Sequence, residues 1–435
     1  VKDKVELTFG GLFFFSIPSI LGSLLEPISG VVDSALIGNR DTHWLAALSI
    51  GVILLSSFTW VFNFLIHTST QAVSESFARN DHNIVVQKIK VALLLSFIIG
   101  VLSSIGLYIF RIPLFLFTGA TDELLPLVED YFNIRLLGQT FLIISFTSIS
   151  ILRGLSRVKE SFYLIFLTTI VNISSSWYLL NFTELGISSV AWGTVLAGLL
   201  SMIIGLALIF REEFIREKFF EARLNKAQWI HFGKNSFNMF CRSMILTSCF
   251  FLSTKCASRL GAEGLAAHQI ILELWLISSF LIDGVAITAN IMAAKFKGEG
   301  SESKYQDLKK QILLLSAVIG LSFTLIYFVF SDQLWNIFSN DELVFAQIRT
   351  VWPYIALSQM LLAVSYIYDG LLFGLERFSF LRKQMFIAFF VSYLPFILFS
   401  IYYNSFVAIW LGMISLGVYR LFMGYFGTKS IGDLN

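Results

Sequence analysis

Glu26 and Asp33 are two carboxylates seven residues apart inside an otherwise apolar stretch, Gly11–Gly38. In a regular helix that spacing points both within ~20° of one direction and sets them ~10 Å apart along the axis. A carboxylate at mid-bilayer costs roughly 2.5–3.5 kcal/mol, so two on one face call for a polar interior or cavity rather than lipid. The chemistry open to such a pair is ion exchange. Ionised, a carboxylate holds a cation; protonated, it loses that attraction, and two within reach of each other titrate as one coupled system. Asp33 and Glu26 are therefore the proton-coupling candidates. Pro18 and Pro27 lie in the same stretch; each removes a backbone hydrogen bond and permits a bend, a means of turning a change of charge into a change of shape. The plainer reading is a kinked structural helix with a snorkelling Glu26 and an interfacial Asp33.

Three further ionisable side chains fall inside apolar segments and are candidates to line a chamber: His67, Asp283 and Asp369. Asp283 has Gly284 beside it, which permits close helix approach, so a hydrogen bond to a neighbouring helix and contact with a substrate both stand open. Asp369 lies near the inner end of its segment, where a cap or gate is expected. His67 offers a proton switch or a packing residue. Arg420, near the end of the last segment, is expected to snorkel to the interface. The five histidines show no metal-ligand spacing. There is no phosphate-binding loop of the GxxxxGK(S/T) type, so ATP is not expected to drive anything within this chain. Cys241, Cys249 and Cys256 read as small packing residues. No catalytic constellation is present, and no cofactor is expected.

The elements that must position these side chains are set by composition. The chain has 435 residues, 56% of them hydrophobic and only 14% charged, with mean hydropathy +0.76. Soluble domains carry ~25% charged residues, so this is an all-α integral membrane protein. A net charge of +2 leaves no footprint for nucleic acid. Twelve apolar segments can be read, near 11–38, 46–76, 89–110, 124–150, 160–182, 187–210, 234–258, 266–294, 310–331, 343–372, 381–403 and 405–427. Lys and Arg crowd every second connection, while the others hold only Arg40, Arg111, Arg135, Arg259 and Arg349. The asymmetry places both termini in the cytoplasm. The charged stretch 211–233, interleaved with Phe214, Ile215, Phe219 and Trp229, suits a helix on the inner membrane surface. It divides the chain into an N-lobe at 1–210, a linker at 211–233 and a C-lobe at 234–435.

The two lobes repeat. Leu45-Ala46-Ala47 is echoed by Leu265-Ala266-Ala267, the run from Phe64 by that from Phe280, and the run from Leu152 by that from Leu371. Three matches in one order mark a duplicated unit. Six spans per unit keep both in one orientation, and transporters place the substrate between such repeats.

With Pro27–Asn39 (PISGVVDSALIGN), Leu265–Trp275, Phe280–Gly300 and Tyr368–Glu376, the chain resembles the multidrug and toxic compound extrusion (MATE) family, most closely its DinF branch. The resemblance implies twelve transmembrane helices in two pseudo-symmetric six-helix lobes forming a V-shaped chamber. It implies alternating-access export of small amphipathic or cationic compounds in exchange for protons, with sodium as the alternative ion. The expected partners are a small-molecule substrate and the lipid bilayer. The expected setting is a monomer in the plasma (bacterial inner) membrane. Asp33 then falls on the coupling acid of the first helix, Pro18 on the proline at which that helix bends, and Asn172 on an asparagine of the fifth span. The acid that often follows four residues later is Ser176 here, and the seventh-helix glutamate associated with sodium-coupled members has no clear match, Arg242 lying in that region. A lipid-linked oligosaccharide flippase of the same general fold is the runner-up. The acids of the apolar spans (Glu26, Asp33, Glu273, Asp283, Asp369) outnumber Lys255, Arg242 and Arg420, which favours cations.

Overall fold

Apolar side chains at helical spacing, with every backbone donor and acceptor satisfied inside its own segment, leave helices as the way through a bilayer for this chain. The structure, a computed structural model, describes residues 6–38, 40–62, 64–223 and 225–432, without the side chains of residues 26, 42, 57 and 59–61. Among the described residues it is helical throughout, with no strand. The first half holds α1 (Phe9–Gly38), α2 (Thr42–Phe62), α3 (Phe64–Ala78), α4 (His82–Phe117), α5 (Leu125–Gly154), α6 (Val158–Phe182), α7 (Ser188–Phe210) and the short α8 (Glu213–Lys218). The second half holds α9 (Lys226–Ser258), α10 (Gly261–Glu299), α11 (Glu302–Val329), the short α12 (Ser331–Asn336) and α13 (Glu342–Gly374). It ends with α14 (Phe378–Ala388), α15 (Leu394–Tyr403) and α16 (Phe406–Gly427).

Among the described residues ten helical stretches are long and apolar enough to cross a membrane, α14 and α15 counting as one. The two other expected spans are α2 with α3 and the more polar α9. Several helices overrun their apolar segments: α4 extends to 82–117 and α10 to 261–299. Hydropathy reports the bilayer, whereas helical hydrogen bonding continues through polar ends into water. Between α14 and α15 the backbone makes a π-turn, Phe389–Tyr393, just before Pro395. The wider turn absorbs the donor that the proline lacks.

The chain divides into two compact units, Leu21–Gly233 and Val1–Ile20 with Lys234–Asn435. The division differs from an N-lobe at 1–210 in two places. The first residues of α1, up to Ile20, go with the second half; there Ser16 Oγ donates to Thr288 Oγ1 of α10 at 3.0 Å. The stretch 211–233 also does not lie along a surface as one helix. Ile215 is fully buried, and Lys90 Nζ of α4 donates to the carbonyls of Phe219 and Ala222, each at 3.0 Å.

Within each unit the same devices recur 220 residues apart, the separation of Leu45 from Leu265. A Cβ built on Gly100 of α4 would lie 2.8 Å from Thr140 Cα of α5, and one on Gly320 of α11 2.7 Å from Met360 Cα of α13. In lipid, such close approach of small residues supplies the packing that hydrophobic burial supplies in water. After Gly154 and Gly374 the chain turns through Ser156 and Glu376, both at φ 63°. Arg157 and Arg377 follow, each bonded at the C-terminal end of its half's last long helix, α7 or α16. Arg157 Nη1 donates to the Leu208 carbonyl at 2.8 Å, and Arg377 donates to the carbonyls of Gly427, Ser430 and Gly432. Lys309 adds a bond to the Thr428 carbonyl at 2.9 Å, the counterpart of the Lys90 contacts.

Candidate functional site

In the unit Leu21–Gly233, Asp33 of α1 is 9% exposed. Asn172 and Ser176, one turn apart on α6, face its carboxyl, and Arg135 of α5 acts on it electrostatically. Asn172 Nδ2 is committed to Thr194 Oγ1 of α7 at 3.0 Å. Asp33 Oδ1, Asn172 Oδ1 and Ser176 Oγ are buried with no hydrogen-bond partner. Buried polar groups are normally satisfied, so three such oxygens on facing helices set this place apart as the candidate site. Ser176 is held there by contact: a Cβ on Gly193 of α7 would lie 2.3 Å from Ser176 Oγ and 2.8 Å from its backbone nitrogen.

The other residues singled out from sequence separate into distinct surroundings. Pro18 and Pro27 both lie inside α1, which remains helical through them; the side chain of Glu26 lies outside the described residues. His67 is half-buried on α3. Asp283 is half-buried on α10, and its neighbour Gly284 abuts the backbone of Ile20, to which a Cβ would come within 2.4 Å. Glu273 and Lys255 are exposed.

Asp369 stands in a second polar centre, in the unit that contains α9–α16. It caps no helix end; the C-cap of α13 is Leu375. Arg242 of α9 and Arg420 of α16 both donate to its Oδ2. Gln384 of α14 stands 3.5 Å from its Oδ1, and Asp283 lies within electrostatic reach of both guanidiniums. Arg420 does not snorkel. It is 5% exposed, stacked 5.3 Å from the Tyr366 ring centre and bound to Asp369, because a partner carboxylate within the unit outweighs the reach to the interface. Arg135 likewise is no residue of an outer connection but a half-buried member of α5. No sequence period links helix partners so far apart in the chain. The available signal was the presence of Arg242 and Arg420 in apolar text where acids also stood.

Two repeats of membrane-crossing helices, each with a buried acid on facing helices and no metal cluster among the described residues, define a multi-span membrane transporter. Residues 18–178 and 239–399, the same portion of each repeat, match the MatE family model. The chain belongs to that family. "Protein DETOXIFICATION 44, chloroplastic" of Arabidopsis thaliana is 24% identical over 430 residues, covering 95% of this chain and 81% of the relative. "DNA damage-inducible protein F" of Escherichia coli K12 is 20% identical, covering 87% and 83%, in keeping with the DinF-like motifs. The crystal structure of the Vibrio cholerae MATE transporter VcmN in the bent form matches with a TM-score of 0.88 at 16% identity, covering 96% of this chain and 95% of that one. The fold is thus the all-α, twelve-span fold of MATE transporters.

Proposed function

We propose that this protein is a secondary active antiporter that exports small amphipathic or cationic organic compounds in exchange for protons by alternating access. The observation that supports it most is the Asp33 centre. The acid is buried in a membrane-spanning helix, has an orphaned oxygen, and makes no contact ion pair among the described residues. Ionised, its charge attracts a cationic substrate; protonated, that attraction is gone. Proton and substrate then exclude each other through one site, which is the linkage an antiporter needs. Glu26 tunes the same helix, Pro18 and Pro27 let α1 respond, and Asn172, His67, Asp283 and Asp369 are chamber candidates. The two repeats are linked through 211–233, with a monomer as the working unit. The setting is the plasma membrane with both termini cytoplasmic. Protons are favoured over sodium because Ser176 supplies no second carboxylate beside Asp33 and because Asp369 is already occupied by two guanidiniums.

Asp33→Asn keeps shape and removes ionisation. In proteoliposomes at matched protein levels it should insert normally yet lose pH-gradient-driven dye export and substrate-induced proton release, while Glu26→Gln shifts the pH dependence with a smaller loss. Wild-type export and proton release by Asp33→Asn would rule Asp33 out as the coupling residue. Export that requires sodium and ignores the pH gradient would favour a sodium-coupled exporter.

A further inference from the structure

Asp33 has a base in its neighbourhood that it does not touch. Arg135, on α5 of the same unit, acts on it electrostatically, yet no contact ion pair joins the two among the described residues. Arg135 Nε is buried with no hydrogen-bond partner. The guanidinium lies instead over the ring of Tyr131, one turn earlier on α5 and 5.9 Å from the ring centre, within range of a cation–π contact. Tyr131 is 2% exposed and within electrostatic reach of both Arg135 and Asp33. Its ring is packed against Gly51 of α2, where a Cβ would lie 2.5 Å from a ring carbon. A buried acid and a half-buried base therefore share one neighbourhood, each with bonding capacity left over.

Guanidinium stays charged throughout the physiological range, so with Asp33 ionised the two charges sum to zero. A monovalent cation bound at Asp33 leaves the charge of Arg135 uncompensated, which is costly inside a membrane span. A ligand that carries both an ammonium and a carboxylate keeps the sum at zero. Its ammonium meets Asp33 and donates to Asn172 Oδ1 and Ser176 Oγ, which are buried without partners. Its carboxylate accepts charge-assisted hydrogen bonds from the guanidinium. We infer that the Asp33 centre is built for zwitterionic compounds, with Arg135 as the residue that selects for the anionic group. The inference rests on Asp33 being the acid that binds substrate and proton in turn, and it narrows the exported compounds to one charge type. Protonation of Asp33 removes one of the two contacts, so proton and substrate still exclude each other.

The test uses two dyes that differ in one group: rhodamine 110, which has a free carboxylate, and rhodamine 123, its cationic methyl ester. Binding to the full-length protein in lipid nanodiscs is followed by fluorescence anisotropy at pH 8 with no ion gradient, and empty nanodiscs are subtracted. The wild type should bind rhodamine 110 about tenfold more tightly, the worth of one charge-assisted hydrogen bond. Arg135→Gln should weaken rhodamine 110 by about that factor and leave rhodamine 123 unchanged or tighter, while Arg135→Lys keeps part of the preference. A wild type that binds the ester as tightly as the acid would overturn the inference, and that comparison needs no variant to fold. Equal weakening of both dyes by Arg135→Gln would overturn it too, because the role would then be structural. So would rhodamine 123 binding that is lost when chloride is exchanged for gluconate, since a separate anion would then fill the place beside Arg135. None of these readings involves transport. A failure here is therefore separate from a failure of the Asp33→Asn test, which reads export.

Discussion

Replacing Gly193 by Ala tests how Ser176 is held against the Asp33 carboxyl. The new methyl would sit 2.8 Å from Ser176 N and 3.0 Å from its Cα, whereas ordinary contact begins at 3.4 Å. Ser176 Oγ, at 2.3 Å, can rotate away; the backbone cannot. So α7 must retreat from α6 by about 0.6 Å, the difference between 3.4 and 2.8. Overpacking of this kind costs about 1–3 kcal/mol, and the helix gains back about 1 kcal/mol from Ala over Gly. The net loss is up to about 2 kcal/mol. Gly106→Ala on α4, which meets nothing within 4 Å, keeps the propensity gain alone and serves as the control. Thermal unfolding in detergent should place Gly193→Ala below the wild type and Gly106→Ala at or above it. Export should also slow in the first variant, since Ser176 is displaced from Asp33. Adding Ser176→Ala should not rescue it, because the clash with the backbone persists. If Gly193→Ala unfolds with the wild type, or if Ser176→Ala restores it, backbone contact does not set the spacing of α6 and α7.

Ser156 and Glu376 hold the same left-handed turn in the two repeats. Ser156→Gly should raise stability by about 1 kcal/mol by relieving the left-handed conformation. Glu376→Gly should bring no such gain, because it removes the bonds to Lys297 at 2.7 Å and Asn235 at 2.8 Å; equal effects in chemical denaturation would contradict this. For orientation, cysteines introduced at the exposed Glu184 and Asn404 should react with an impermeant thiol reagent outside intact cells, and one at the exposed Glu217 should not. Labelling of Glu217→Cys from outside would reverse the assigned topology.

What could be read from the chain was whatever repeats locally. Apolar runs located the spans, and the paired Leu-Ala-Ala motifs located the duplication. Asn172 and Ser176 came into view through the family resemblance, because nothing local in the chain ties that helix face to Asp33. Pairing between helices was not reachable. Asp369 meets Arg420 across 51 residues and Arg242 across 127, and nothing in the spacing of charges along one helix announces a partner on another. Arg420 stands seven residues from the end of α16, close enough to water for snorkelling to look cheaper than burial. The stretch 211–233 showed an amphipathic pattern, but its apolar side found Phe77 and His82 rather than lipid: Phe214 stacks 6.4 Å from the one and 4.3 Å from the other.

The discontinuity of the unit built from Val1–Ile20 and Lys234–Asn435 bears on how the protein is made. Its α1 piece is synthesised before the Leu21–Gly233 unit, yet its neighbours on α10, Thr288 and Gly284, emerge only after the whole of that unit. At ~5–20 residues per second, the about 260 residues between Ile20 and Gly284 take roughly 13–50 s. Throughout that interval the beginning of α1 is already threaded into the bilayer with its site on α10 not yet synthesised. The Leu21–Gly233 unit has no such wait, since all of its chain is available once Gly233 is out. The Leu21–Gly233 unit can therefore settle before the start of α1 meets its neighbours on α10.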